Sequence, residues 1–292
     1  MKMNERYLND LLVRMAHHST AIEGNTLTQA ETASILVDNF IPKEMNEREY
    51  YEVKNFKKAF DFMKKKLSNQ EKISIKFIKE MHNIVMENLL DNVGEFKKIE
   101  NMIVGASFET TKPYLVQIEL KDMCDNLEYR LINSISLEDK IATIVSEHLK
   151  FEKIHPFSDG NGRIGRLLMM YSCLSENMVP FVITKEEKKK YINIMRKEDI
   201  NEFTKWSIQL INFEIERKTK FEMEDNELIK NSTSKEKSKE NLINKLSNLD
   251  FSEIPEFIEL LKDEFTTEEI NELLEFAQVD FVLEEKKNIV DR

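Results

Sequence analysis

A twelve-residue segment in the second half of the chain combines side chains suited to phosphate chemistry. It runs from residue 155 to 166 and reads His-Pro-Phe-Ser-Asp-Gly-Asn-Gly-Arg-Ile-Gly-Arg. His155 can act as a general base toward a hydroxyl, because an imidazole titrates near neutral pH. Asp159 is a carboxylate that Mg²⁺ could bridge to phosphate oxygens. The segment predicts proton abstraction beside a bound polyphosphate.

The glycines and arginines of this segment predict an anion site. Gly160 and Gly162 flank Asn161 where a helix is expected to begin, and free backbone amides at a helix start bind anions. Arg163 and Arg166 are three residues apart, so both project from one side of the first turn. Two guanidinium groups beside such amides favour a polyphosphate, because each can bind phosphate oxygens in a bidentate manner.

The same residues also have other interpretations. Gly160-x-Gly162-x-x-Gly165 formally matches a dinucleotide-binding fingerprint, but that fingerprint follows an apolar strand, and here His155-Pro156 follows a helical segment. Taken singly, a histidine is more often structural than catalytic, and helix arginines usually form surface ion pairs. The joint pattern over twelve residues favours a functional site.

Segment 155–166 resembles the signature of Fic proteins, H-x-F-x-[D/E]-G-N-G-R-x-x-R, and it meets every fixed position. The resemblance extends over about residues 1–220. It implies a mainly α fold, a Fic-type helical bundle with a small β-hairpin flap before the signature. Helical periodicity after residue 246 adds a helical C-terminal appendage, which the resemblance does not cover.

Most Fic enzymes transfer AMP from ATP to a Ser, Thr or Tyr hydroxyl of a protein, sometimes their own, and the resemblance implies this activity. His155 would deprotonate the hydroxyl, whose oxygen would attack the α-phosphate and release pyrophosphate. Asp159 would hold Mg²⁺ on the phosphates. Asn161 would stabilise charge at the α-phosphate, together with the loop amides that Gly160 and Gly162 leave accessible.

The remaining residues of the implied site bind the rest of the nucleotide or support the loop. Arg163 and Arg166 would hold the outer phosphates of ATP. Phe157 would anchor the loop in the core. Tyr191 lies where family members often carry a tyrosine near the adenine, so it is a candidate adenine-binding residue.

Residues 92–114 carry the main β signal of the chain and would form the flap. The run Met102-Ile103-Val104 lies between two glycines in this segment. Thr110, Thr111 and Lys112 would then pair with an extended segment of the target protein by strand addition. A purely structural hairpin is the alternative.

An N-terminal segment resembles the inhibitory motif [S/T]-x-x-x-E-[G/N] of the class II Fic arrangement. It begins at Ser19 and places Glu23 directly before Gly24. Glu23 paired with Arg166 would occupy the cation needed by the γ-phosphate, so ATP would bind unproductively. The alternative is an ordinary helix end, because each residue type is common there.

Two other classes of function stay open at this stage. The same fold could transfer UMP, phosphocholine or a phosphate, or it could remove AMP with the inhibitory glutamate positioning a water. The chain could instead be a non-catalytic regulatory binding module. The intact Asn161, Arg163 and Arg166 favour a bound triphosphate and AMP transfer.

The elements that must position these residues are predicted to be helices. The 292 residues include 6 Gly and 5 Pro, where average usage would give about 20 and 15. This scarcity argues against sandwiches and barrels, which need frequent turns.

The predicted organisation is an N-terminal inhibitory region over 1–45, a catalytic domain over 46–222, a polar linker over 223–245 and an acidic helical tail over 246–292.

Charge and cysteine usage limit the partners and the compartment. The net charge is −11, and residues 246–292 carry 14 acidic and 4 basic residues, so −10 of it lies in the tail. Without a basic stripe, a nucleic acid is not an expected partner. Two cysteines outside any disulfide pattern and the lack of a long apolar run predict a cytoplasmic protein without a membrane segment. A homo-oligomer stays possible.

Overall fold

The described part of the protein is built from helices. The computed structural model describes residues 4–101, 109–250, 252–262 and 264–278. Within these ranges no strand occurs, and the mainly α prediction is confirmed. The α-helices are α1 (Glu5–Ile22), α2 (Gln29–Leu36), α3 (Glu47–Ser68), α4 (Ile75–Val85), α5 (Val116–Asn133), α6 (Leu137–Ile154), α7 (Asn161–Ser175), α8 (Lys188–Lys197), α9 (Ile200–Leu246), α10 (Ile254–Leu261) and α11 (Thr267–Phe276).

The predicted β-hairpin flap falls partly outside the described residues, because 102–108 are not among them. Its described flanks, 92–101 and 109–114, contain turns and one short 3₁₀ helix that starts at Pro113. The hairpin therefore stays a prediction.

Local capping residues set the end of α1 and the start of α2. Helix α1 ends at Ile22, and Gly24 follows with φ +109°, the left-handed region that glycine favours after a helix. Helix α2 begins with a capping box, in which Thr28 and Glu31 exchange side-chain to backbone hydrogen bonds. These two features fix the direction of the chain just after Glu23.

Helix α7 is the centre of the bundle, because it is buried on all sides. Twelve of its 15 residues are buried, from Asn161 through Cys173. Helices α1, α3, α4 and α6 pack around it. Its all-round burial is typical of a helix in the middle of a larger domain. The helix that begins at the signature loop is thus also the helix on which the core is built.

Helix α1 buries an apolar face against this core. Tyr7, Leu11 and Met15 follow one another at intervals of four, so they lie along one side of the helix. Each is at most 4% exposed. Burying a large apolar side chain contributes about 1.5–3 kcal/mol, so this face alone holds α1 firmly in place. The last turn of α1 carries Ser19 and leads to Glu23.

Helix α9 differs from its prediction. The sequence predicts a helix to about residue 220 and a polar linker over 223–245, whereas the structure continues the helix to Leu246. The segment contains neither Gly nor Pro and is rich in Lys and Glu, which are good helix formers even without a core to pack against. The low hydrophobicity of this segment therefore did not mean that the segment is non-helical.

The chain divides into two compact units, Met1–Phe221 and Glu222–Arg292. The second unit has its own apolar core, to which the end of α9, α10 and α11 contribute Leu246, Ile258 and Leu273. The predicted acidic tail is thus helical over its described residues. Among the helices that the structure describes, none joins enough length to enough apolar character to cross a bilayer.

Candidate active site

His155 lies where α6 ends and the chain changes direction. Its backbone adopts φ +47° and ψ +59°, in the left-handed region. Its Nδ1 lies 3.3 Å from the backbone carbonyl oxygen of Glu152. A carbonyl oxygen can only accept, so this contact requires the proton on Nδ1 and leaves Nε2 as the acceptor. The imidazole is oriented as a base through Nε2.

The surroundings of His155 keep its imidazole neutral. Burial lowers the pKa of His155 to about 4; the Glu152 carbonyl opposes this effect, and the nearby charge of Lys97 adds to it. Glu23 and Asp159 act weakly in the opposite direction. At neutral pH the ring is therefore ready to accept a proton.

Phe157 anchors the loop in the core, as the sequence predicts. Its ring is fully buried and stacks on His82 with centroids 3.8 Å apart. The Nδ1 of His82 accepts from the Gly94 amide at 2.8 Å, so its Nε2 carries the proton and donates to the Asp159 carbonyl at 3.1 Å. His82 thereby joins the loop to the segment after α4.

Asn161 closes the loop on itself. Its side-chain oxygen accepts from the Phe157 amide at 2.9 Å, and its side-chain nitrogen donates to the Phe157 carbonyl at 2.8 Å. The side chain is therefore used inside the loop rather than presented to a ligand.

Gly160, just before the helix, has φ +84°, and a Cβ there would lie 2.6 Å from the sulfur of Met86. Only glycine fits this start of α7.

Four charged residues form a closed ring at the mouth of the site. Arg48 lies 2.7 Å from Asp159 and 3.2 Å from Glu52. Arg163 lies 3.3 Å from Glu52 and 3.2 Å from Asp159. The Arg163 side chain is only 1% exposed. The structure thus places this predicted phosphate-binding arginine inside an ion-pair ring.

The last turn of α1 meets the start of α7 through Arg166. The guanidinium donates to the Ser19 hydroxyl at 2.8 Å, to the Ser19 carbonyl at 2.9 Å and to Glu23 at 2.6 Å. A Cβ at residue 162 would clash with the Glu23 carboxylate, so Gly162 makes room for it. The structure therefore brings together the two residues of the predicted inhibitory motif and Arg166.

Both partners of the contact between Glu23 and Arg166 are charged. Burial opposes ionisation of Glu23, but the charge and hydrogen bond of Arg166 outweigh it and lower the pKa of Glu23. Arg166 itself is 4% exposed. A charged carboxylate and a buried guanidinium thus form a hydrogen-bonded pair, the stronger kind of ion pair.

Tyr191 lies behind the site, away from solvent. Its side chain is buried, and its hydroxyl lies 2.7 Å from Nε2 of His148. Burial raises its pKa, and the nearby Glu152 adds to that effect. In this conformation the ring has no open face for an adenine, so the structure gives the predicted adenine contact no support.

The three predicted flap residues differ in exposure. Thr110 is buried and donates to the Asn101 carbonyl at 2.7 Å. Thr111 is half-buried and donates to the Glu119 carboxylate at 2.6 Å. Lys112 is exposed. Of the three, Lys112 has the most open side chain for a target segment.

Asp159 is a suitable single ligand for a magnesium ion that also binds phosphates. Burial opposes its ionisation, but Arg163 and Arg48 lower its pKa, so it is charged. Its side chain is 41% exposed. Within the described residues no group of three or more metal-binding side chains occurs. One carboxylate is nevertheless enough, because Mg²⁺ in nucleotide sites takes most of its ligands from phosphates and water.

The sequence interpretation missed the α3 half of the charged ring. Arg48 and Glu52 precede the signature by more than a hundred residues, and no local spacing connects them to Asp159. Asn25 was missed as well: it donates to Glu52 at 3.0 Å and thereby fixes the chain just after Glu23. The helical spacing of Arg48 and Glu52 indicates a shared face, but only the fold shows what that face meets.

Comparison with known proteins identifies the class of this domain. Residues 72–173 match the model of the Fic/DOC family. The match contains the whole signature segment and the helices that flank it. The chain therefore carries a Fic/DOC-family domain.

Its curated relatives are longer proteins. Protein adenylyltransferase fic-1 of Caenorhabditis elegans is 31% identical over 188 residues, which cover 64% of this chain and 36% of that protein. Protein adenylyltransferase Fic of Drosophila erecta is 30% identical over 182 residues, with 62% and 36% covered. The chain thus spans about a third of the length of these relatives.

Solved structures share the fold. A Fic-domain-containing signalling protein from Bacteroides thetaiotaomicron matches with a TM-score of 0.68 at 23% identity, over 74% of this chain and 89% of that one. Fic-1 residues 134–508 from C. elegans match with a TM-score of 0.64 at 24% identity, over 76% and 66%. Both matches establish the helical Fic fold.

Proposed function

We propose that this protein is an autoinhibited protein adenylyltransferase, which transfers AMP from ATP to a hydroxyl of a protein, itself included. The contact between Glu23 and Arg166 is the observation that carries the proposal, at 2.6 Å beside the start of α7. The names of the curated relatives support AMP transfer as the reaction. The neutral imidazole of His155 supports base catalysis at the same place.

The reaction needs one base and a site for the phosphates. The Nε2 of His155 takes the proton of the acceptor hydroxyl of Ser, Thr or Tyr. The hydroxyl oxygen forms a bond to the α-phosphorus, while the bond from that phosphorus to the bridging oxygen breaks and pyrophosphate leaves. The amides at the start of α7 are not needed within the helix, so they can donate to the phosphate.

Asp159 is the residue that would hold the magnesium ion. A bound Mg²⁺ would offset the negative charge of the phosphates. Because Arg48 and Arg163 pair with Asp159 here, the nucleotide phosphates would have to draw at least one of these guanidinium groups away. A guanidinium group released from Asp159 in this manner would then face the phosphates.

Inhibition would follow from competition for Arg166. The guanidinium donates to the hydroxyl and the carbonyl of Ser19 and to the carboxylate of Glu23, so it has little capacity left for a phosphate. A γ-phosphate at the same place would also be repelled by the charged Glu23. Release of Glu23 would supply Arg166 to the nucleotide.

The decisive experiment compares wild type, Glu23→Gly and Glu23→Gly with His155→Ala in reactions with ATP labelled at the α-phosphate. Glu23→Gly should raise protein labelling at least about tenfold, since tenfold corresponds to the loss of only about 1.4 kcal/mol of inhibitory contact. The double variant should abolish it. Glu44→Gly removes an exposed glutamate away from the site and should behave as wild type.

Intact mass identifies the group transferred, and three results would contradict the proposal. Unchanged labelling in Glu23→Gly would exclude inhibition by Glu23. Addition of UMP or a phosphate, with no addition of AMP, would exclude adenylyl transfer. Removal of AMP from a labelled protein by wild type and not by Glu23→Gly would assign Glu23 to hydrolysis instead.

A further inference from the structure

Two residues between α4 and α5 hold the backbone around His155. The Nζ of Lys97 donates to the carbonyl of Ile154 at 3.2 Å, and the Lys97 amide donates to Pro156 at 2.8 Å. The side-chain nitrogen of Asn101 donates to Phe157 at 2.9 Å and, more weakly, to His155 at 3.4 Å. Four consecutive carbonyl groups, 154 to 157, thus accept hydrogen bonds from Lys97 and Asn101.

These carbonyl groups need partners from outside their own helix. Helix α6 ends at Ile154, and the last carbonyls of a helix have no partner further along it. His155 then turns into the left-handed region, so the loop cannot continue helical bonding. A buried carbonyl without a hydrogen-bond partner destabilises the conformation that buries it. Lys97 and Asn101 therefore select this loop path over others.

Lys97 is an unusual residue for this task, because its ammonium group is buried. The residue is 4% exposed, and besides Ile154 its Nζ donates to Asn101 at 2.7 Å and to Thr110 at 3.0 Å. All three ammonium hydrogens are thus used. Burial lowers its pKa to about 8, although Glu100 and Glu119 oppose this effect. Near neutral pH a positive charge therefore remains close to the imidazole.

Charged and titratable groups face His155 from every side of the site. They are Glu152 from α6, Lys97 from the segment after α4, Glu23 from the end of α1 and Asp159 from the loop. Among these, Lys97 is the cation. Since like charges disfavour each other, its ammonium opposes protonation of the ring, while the charges of Glu23 and Asp159 and the backbone carbonyl of Glu152 favour it.

We propose that Lys97 and Asn101 are positioning residues for His155: together they fix the backbone that aims the imidazole, and Lys97 places a positive charge beside the ring. The inference rests on the proposed function, because it assigns both residues to the step in which His155 takes a proton. Neither residue needs to touch ATP or the acceptor.

The test uses the full-length chain and two independent readouts. The first is the NMR titration of the His155 ring without nucleotide. Lys97→Met should raise the pKa of His155, because a nearby like charge is removed. Lys97→Arg should retain the wild-type value. Asn101→Ala should leave it nearly unchanged, since this side chain carries no charge.

The second readout is turnover in the Glu23→Gly background. Lys97→Met and Asn101→Ala should lower kcat about 10- to 100-fold, as expected for a misplaced catalytic group, with the KM for ATP within about twofold. Lys97→Arg should restore most of the rate. Lys98→Met is the matched control, because its side chain is 80% exposed and pairs only with Glu95 among the described contacts.

The outcomes separate this inference from the proposed function. If folded Lys97→Met and Asn101→Ala variants keep both the His155 titration and kcat of their parent, the inference is wrong. If no variant transfers AMP but the His155 titration moves as expected, the proposed function fails and the positioning role stands. Where Lys97→Met does not fold, Lys97→Gln replaces it, and Asn101→Ala still decides the effect on kcat.

Discussion

Glu152 lies directly behind His155, with its Oε2 3.9 Å from Nδ1. Its side chain is buried, and its other carboxylate oxygen has no hydrogen-bond partner within the described residues. Burial raises the pKa of Glu152 to about 7; Arg166 opposes this effect and Glu23 adds to it. The carboxyl group is thus half-protonated near neutral pH. A buried acid of this kind links the stability of the fold to pH.

The sign of this linkage follows from proton binding. Between the pKa of an unfolded glutamate, near 4.5, and about 7, the folded state binds more protons than the unfolded state. The free energy of unfolding therefore decreases as pH rises through this window. Glu152→Gln removes the effect, so it should be about neutral at pH 5 and should stabilise the protein by about 2–3 kcal/mol at pH 8.

Thermal unfolding at the two pH values measures this difference. Glu44→Gln, at an exposed position, serves as the control and should shift the Tm equally little at both. An equal shift of Glu152→Gln at pH 5 and pH 8 would show that Glu152 titrates at an ordinary value in the folded protein.

Helix α1 is tied to α9 by a buried ion pair, far from the site along the chain. Both terminal nitrogens of the Arg14 guanidinium contact Glu214, one of them at 2.7 Å. Tyr7 donates to the same carboxylate at 3.2 Å, and Asp10 binds Arg14 at 2.8 Å. Because α1 ends beside the contact between Glu23 and Arg166, this pair helps to hold the helix that leads to Glu23.

Loosening this pair should therefore relieve inhibition. Glu214→Gln should lower the free energy of unfolding by about 2–4 kcal/mol, because it leaves Arg14 without its main partner. It should also raise AMP transfer several-fold over wild type, without any change at the site itself. Denaturant unfolding and labelling from ATP measure the two effects. Glu216→Gln, exposed on the same helix, should change neither.

A second variant pair separates coupling from simple destabilisation. In the Glu23→Gly background, Glu214→Gln should give no further increase in transfer, because no inhibitory contact remains to be released. A further increase there would mean that the pair acts on the site by a different route.

At the level of elements, the sequence was most informative where the signal is local. The capping box of Thr28 and Glu31 and the glycine after Glu23 mark helix ends that the sequence carries locally, because each works through neighbouring backbone groups. The pairing of Glu23 with Arg166 was instead expected from the family resemblance, because no local pattern connects these two residues. Polarity wrongly predicted a linker within α9, since helix propensity was given too little weight.

The rest of the site depends on the fold. From α3, Arg48 reaches Asp159 and Glu52 reaches Arg163. Lys97 and Asn101 reach the loop from the segment after α4. The side chain of Tyr191 points inward toward His148, and the residue spacing along α8 does not predict this orientation. These contacts join residues that lie about 40 to 110 positions apart, so local patterns carry no trace of them.

The whole molecule consists of two units with separate cores. The clusters around α7 lie within Met1–Phe221, and the cluster of Leu246, Ile258 and Leu273 lies within Glu222–Arg292. A chain that ends at residue 225 contains every residue of the clusters around α7. Since a compact unit with its own core can fold alone, fragment 1–225 should fold and carry the site.

Fragment 1–225 should therefore match the full chain in two measurements. Its unfolding transition should retain the main thermal step, and with Glu23→Gly it should transfer AMP within about twofold of the full-length variant. The fragment also loses all 14 acidic residues of the tail. A large loss of transfer by a folded fragment would assign residues 226–292 a part in catalysis.

The left-handed backbone of His155 has a consequence for anyone who improves this protein by selection. A residue with a Cβ costs about 1–2 kcal/mol in that conformation, and glycine does not. The imidazole is half-buried, and its described hydrogen bond, to the Glu152 carbonyl, is long at 3.3 Å. A screen for heat resistance would therefore reward His155→Gly and, with the proposed function, enrich inactive molecules. Libraries sorted by thermal stability need residue 155 held constant.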